Sequence, residues 1–175
     1  MASPTFDLTG EYRGDAIFVG NDTYADPPGI ATAGTNEFTA DIKSWLGLAN
    51  AYWDIGTWCG FRPYLGAGIG FASVTVEGLK DVNVPQNSFF FAADHTQTNF
   101  AWALHAGVSF DVTSQFVVDL SYRYADLGDA RSGVVTAYDG SSSYSGHHIK
   151  DITSNDLLLG FRYKLQDAAP VYAVK

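Results

Sequence analysis

Phe116-Val-Val-Asp-Leu-Ser-Tyr-Arg-Tyr124 is the stretch from which the fold can be read. In an extended chain successive side chains point to opposite faces, so Phe116, Val118, Leu120, Tyr122 and Tyr124 line one side and Val117, Asp119, Ser121 and Arg123 the other. One face is oily and the other carries charge. The pattern returns late in the chain, where Leu157, Leu159, Phe161, Tyr163 and Leu165 alternate with Leu158, Gly160, Arg162 and Lys164. It also opens the chain, with Phe6, Leu8, Gly10 and Tyr12 set against Asp7, Thr9, Glu11 and Arg13. A soluble β-sandwich turns such an apolar face inward, whereas a membrane barrel turns it to lipid and encloses the charged face. Alternation alone does not separate the two.

A chain of 175 residues makes one domain of ordinary size. With 15% aromatics and 18 glycines, the composition favours β structure over a helical bundle. The net charge of −9 argues against a nucleic-acid partner, because phosphate binding needs a basic stripe. Cys59, the single cysteine, sits in Gly56-Thr-Trp-Cys-Gly60 with no His nearby, so a packed small side chain is expected rather than a reactive thiol. No run of about 18 apolar residues offers a transmembrane helix. Met1 to Asp7 shows neither the positive n-region nor the apolar h-region of an export signal.

Read in order, strands are expected over 6–13, 38–56, 63–76, 99–111, 116–124 and 156–165. For the second, a helix over Trp45 to Ala51 is the rival, disfavoured by its Trp, Tyr and Gly content. In the third, Gly66, Gly68 and Gly70 form a bare stripe that leaves room for long neighbours, expected to be Arg and Lys. Gly14 to Asn36, Glu77 to Thr98 and Ala125 to Ile152 read as long loops, while Thr57 to Arg62 and Val112 to Gln115 are short. Connection length therefore alternates strictly. Up-and-down membrane barrels do this because turns on one side are short and loops on the other are long. This selects the barrel, with a soluble lipocalin-like barrel binding a small apolar ligand as the alternative.

Five stretches carry a further signal: Phe6-Asp-Leu-Thr-Gly-Glu-Tyr-Arg13, Pro63-Tyr-Leu-Gly-Ala-Gly-Ile-Gly-Phe-Ala72, Trp102-Ala-Leu-His-Ala-Gly-Val108, Leu120-Ser-Tyr-Arg-Tyr-Ala-Asp-Leu-Gly128 and Asp156-Leu-Leu-Leu-Gly-Phe-Arg-Tyr163. Together they resemble the alphaproteobacterial outer-membrane β-barrel family, the small porin-family surface barrels of rhizobia and Brucella. The resemblance implies an all-β, antiparallel up-and-down transmembrane barrel of the eight-stranded type, placed in the outer membrane by the barrel-assembly machinery. Family members carry a signal peptide and two strands before the one matching Phe6 to Arg13. About six strands are therefore expected here, with an open seam between first and last. The barrel domain is expected over residues 1–165, followed by a periplasmic tail over 166–175 that ends on Lys175 rather than on the family's usual aromatic residue.

Asp7, Glu11, Arg13, Asp119, Arg123, Arg162 and Lys164 are expected to face the lumen. Both signs are present, so the set reads as an internal ion-pair network filling a narrow barrel, with a charge-selective pore as the rival. His147 and His148 are adjacent and point apart, and His105 and His95 stand alone, so no metal site is expected. No Ser or Thr has a recognisable base and acid nearby in sequence, so neither catalysis nor a cofactor is expected. The function expected is a structural and surface-exposed envelope role with at most minor solute passage, and an adhesin using the long loops is a further alternative.

Overall fold

The computed structural model describes residues 4–25, 33–84 and 87–164. Among them eleven strands occur in chain order: β1 (Pro4–Ala25), β2 (Ala33–Asp54), β3 (Phe61–Asn83), β4 (Ser88–Ala92), β5 (His95–Asp111), β6 (Phe116–Asp126), β7 (Ala130–Arg131), β8 (Val135–Ala137), β9 (Ser143–Tyr144), β10 (His148–Ile149) and β11 (Thr153–Tyr163). Six are long and pair antiparallel in the order β1, β2, β3, β5, β6, β11. β4, β8 and β9 widen the sheet from the far end of β3, and β7 pairs with β10. Among the described residues β1 and β11 share no ladder, which leaves the expected seam. The tail over 166–175, together with Leu165, lies outside the described residues.

Two of the expected loops are largely strand. β1 and β2 stay paired from Pro4 opposite Trp53 to Ala25 opposite Ala33, with one irregularity between Arg13 and Ala16. Gly20-Asn-Asp22, whose composition favours the expected loop, sits inside that ladder. Cross-strand pairing satisfies the backbone there, which outweighs local turn preference. Asp26-Pro-Pro-Gly29 lies outside the described residues. β3 likewise runs to Asn83 past an irregularity facing Thr39 and Asp41, where Gly78 takes φ +58°. Among the described residues of the expected loops, only 127–152 remains mostly irregular, with β7 to β10 as short pairings.

The short connections are as expected. Between β5 and β6, the Val112 and Thr113 N–H groups donate to the Phe116 carbonyl at 2.9 and 3.1 Å. Between β2 and β3, Trp58 and Phe61 close the turn, with Cys59 at φ +50° and Gly60 at +86°. That geometry projects Cys59 outward, so it is exposed rather than packed.

Outward side chains form an apolar band between two aromatic girdles. Near the short turns stand Trp53, Phe61, Phe110, Phe161 and Tyr163; near the far end of the band stand Tyr12, Trp45, Phe71 and Phe100, all exposed. Leu8, Ile69, Leu104 and Leu120 fill the interval, Leu8 being 85% exposed. Trp45 and Trp53 lie roughly 26 Å apart along β2 at about 3.3 Å per residue. A tilted strand of that length crosses a band of about 25 Å. By contrast Arg123 is only 2% exposed. Polarity is therefore inverted relative to a soluble barrel.

The interior divides in two. Its half nearer the short turns is polar. The other half holds the apolar cluster of Leu46, Leu48, Ala72, Val74, Val76 and Leu79, closed by Ala101, Ala103, Ala125 and Leu127. The glycine stripe accommodates neighbours, but not the expected Arg and Lys. A Cβ on Gly66 would strike the Tyr52 ring, and one on Gly68 the Asn50 side chain.

Candidate functional site

Strand parity brings the inward charged residues together at mid-barrel. Arg123 on β6 is laterally opposite Asp156 on β11, and its Nε donates to Asp156 Oδ2 at 2.8 Å. The same guanidinium reaches Glu11 Oε2 on β1 at 2.6 Å. Arg13 completes the cluster, 2.9 Å from Glu11 Oε1 and 2.7 Å from Asp156 Oδ2. Two guanidinium and two carboxylate groups thus link β1, β6 and β11. Because β1 and β11 share no ladder, this cluster ties the seam through side chains. Ser154 Oγ donates to the second Asp156 oxygen at 2.5 Å.

Below the cluster, Asp7 accepts from Asn50 Nδ2 at 2.7 Å, and Thr9 Oγ1 accepts from the same nitrogen at 2.9 Å. Asp119 accepts from the Tyr64 hydroxyl at 2.8 Å and from Ser109 at 2.7 Å. Arg162 lines a cavity of about 560 Å³ with Tyr52, Tyr64, His105 and Asp119. Phe6 and Leu159 also border the cavity, so it extends to the seam. Lys164 lies apart at the short-turn rim, 3.0 Å from Asp111, which also binds Arg62 at 2.9 Å.

Of the seven residues singled out in the sequence, Glu11, Arg13 and Arg123 meet in one cluster, Asp7, Asp119 and Arg162 stand around the cavity, and Lys164 sits at the rim. The charges leave open space beside them rather than filling the barrel alone. Asp156 is the member missed. It shares inward parity with Leu158, Gly160 and Arg162, so the signal was present. Asn50, Tyr52 and Tyr64 were also missed as polar lining; no charge marked them.

The histidines take separate positions. His105 is buried in the lumen wall, and His95 is exposed on β5. His147 Nε2 stands 3.3 Å from the Tyr144 hydroxyl, and His148 Nε2 lies 3.1 Å from Asp129. Among the described residues no group of three or more His, Cys, Asp or Glu is placed to hold a metal ion.

The extension beyond the band is held by its own polar contacts. Tyr144 donates to Asp81 Oδ2 at 2.8 Å, and burial together with that carboxylate pushes the phenol up. His147 packs edge-on against Phe38, with ring centroids 4.4 Å apart, and exchanges hydrogen bonds with Ser132. The Asp151 backbone N–H and the nearby His148 hold the Asp129 carboxyl below its ordinary range. The Ser141 hydroxyl and backbone N–H do the same for Asp139.

A family model described as the outer membrane protein beta-barrel domain matches residues 2–164. An uncharacterised protein of Brucella abortus is 33% identical over 142 residues, covering 74% of this chain and 50% of its own length. The outer membrane protein PagN of Salmonella typhimurium is 30% identical over 120 residues, 66% of this chain and 47% of its own length. A Rickettsia conorii protein named as a candidate adhesin is 29% identical over 119 residues, 67% of this chain and 47% of its own length. The chain spans about half the length of the curated relatives it matches. No solved structure gives a significant match.

Proposed function

This chain belongs to the outer membrane protein β-barrel domain family and is embedded in the outer membrane, and from that premise we propose that it is a non-conducting envelope barrel acting as a scaffold for its surface. The observation that carries this reading is the apolar cluster around Leu46, Leu48, Val74 and Leu79, which sits inside the barrel above the ionic cluster. A solute crossing there would leave water with nothing to replace its hydration, which costs several kcal/mol for a polar group (about 2–7). The polar half is then a cup and not a channel. Its role is structural rather than catalytic.

Supporting the surface role, β1, β2 and β3 continue far beyond the band as a ribbon, on the side where such barrels carry their extracellular loops. The adhesin reading rests on the same ribbon and on the name of the Rickettsia relative. Edges of β1 and β11 in lipid need pairing partners. Planar-bilayer recording of the folded protein is the test. Silent membranes are the expected result; sustained unitary current steps would overturn the non-conducting reading.

A further inference from the structure

Above the outer aromatic girdle the outward face of the ribbon turns polar and then apolar again. Lys43 pairs with Glu77 at 2.5 Å and Asp15 at 3.4 Å, and Thr75 shares a hydrogen bond with Thr96 at 2.9 Å. Beyond this belt Val82 stands opposite Phe89, Lys80 opposite Phe91, and the Tyr138 N–H donates to the Phe89 carbonyl. The rings touch: Phe89 and Phe91 have centroids 4.5 Å apart, and Phe91 and Tyr138 6.1 Å. Tyr138 is 79% exposed and Phe91 40%. Lys80 lies roughly 30 Å along β3 from the girdle residue Phe71, at about 3.3 Å per residue, so the polar belt holds this patch off the bilayer.

The patch sits in a negative field. Residues 14–23, 34–43, 76–84, 87–98 and 127–152 carry ten Asp and Glu against four Lys and Arg. Glu37 faces Val82 across the ladder, and Asp139 follows Tyr138 directly. Aromatic faces attract cations, Arg above all, and carboxylates around them steer cations in while repelling anions. We propose that the Phe89, Phe91 and Tyr138 face docks a cationic polypeptide segment that alternates Arg or Lys with apolar residues. Anionic polysaccharides and lipid headgroups are disfavoured by the same charges.

This inference rests on the surface role proposed above, and the two fail separately: current steps would remove the non-conducting reading without touching the patch. The test uses the full chain in detergent micelles and a fluorescein-labelled peptide of alternating Arg and Leu, with its Glu and Leu counterpart as control. Saturable binding of the basic peptide only is expected. Both Phe91→Ser with Tyr138→Ser and Glu37→Lys with Asp139→Lys should weaken it about tenfold, with heat-modifiable gel mobility unchanged. Equal binding of the acidic peptide, no binding of the basic one, or an affinity that ignores the aromatic pair would each overturn the proposal. If the aromatic pair altered gel mobility, the charge pair alone would decide the matter by the same tenfold criterion.

Discussion

Arg123 Nη2 lies 2.6 Å from Glu11 Oε2, although β6 and β1 share no ladder and 112 residues separate the two in sequence. The contact crosses the barrel interior. Truncating one partner of a buried ion pair leaves the others desolvated and unmatched, at a cost of about 3–5 kcal/mol. Arg123→Ala should therefore cost about 3 kcal/mol in urea unfolding from lipid vesicles, the partial exposure of both carboxylates putting it at the low end. A change below about 1 kcal/mol would show that the cluster is well hydrated.

Inverted polarity makes the effect of an added charge depend on height. Leu104 lies mid-band and Val19 lies on the ribbon, both exposed. Arg at the lipid midplane costs about 2–4 kcal/mol, falling to about 0–1 near the interfaces. Leu104→Arg should lower the unfolding free energy by that larger amount while Val19→Arg leaves it nearly unchanged. Equal effects from the two would remove the band.

Glycines on the two faces of the barrel wall are unequal. A side chain at Gly68 would collide with Asn50, whereas a Cβ at Gly10 meets nothing within 4 Å. Overpacking costs about 1–3 kcal/mol, so Gly68→Val should reduce the fraction that shows the heat-modifiable folded band. Gly10→Ala should leave it intact.

Acid should loosen the irregular segment before the barrel. The Asp151 N–H and His148 depress the Asp129 pKa in the folded state, so its contribution is fully present above the ordinary carboxylate value and is lost as pH falls through the lower folded value. Protease cleavage within 128–152 should accelerate below about pH 4, and Asp129→Asn should produce the faster cleavage already at neutral pH. A pH-independent cleavage rate in the native protein would exclude the mechanism.

Alternation of the kind seen in Phe116, Val118 and Leu120 against Val117, Asp119 and Ser121 was enough to place six long strands and to sort the residues of each onto two faces, since strand parity is a purely local property. The ribbon was harder to read. Gly20-Asn-Asp22 has the composition of a turn, and only its pairing with Glu37 and Phe38 makes it strand. Leu46 and Leu48 share the inward parity of Asn50, yet nothing in parity says that they meet Val74, Ala101 and Leu127 in a dry cluster.

By itself the sequence determined which residues alternate, where short turns fall and which charges share a face, because each depends on neighbours a few positions away. Only the tertiary structure decided that Arg123 holds Glu11 and Asp156 together, that Leu46, Leu48 and Val74 pack into one apolar cluster, and that Phe91 and Tyr138 meet on the ribbon. Those outcomes depend on register between strands distant in sequence, and a shift of one residue would turn each of these side chains to the opposite face.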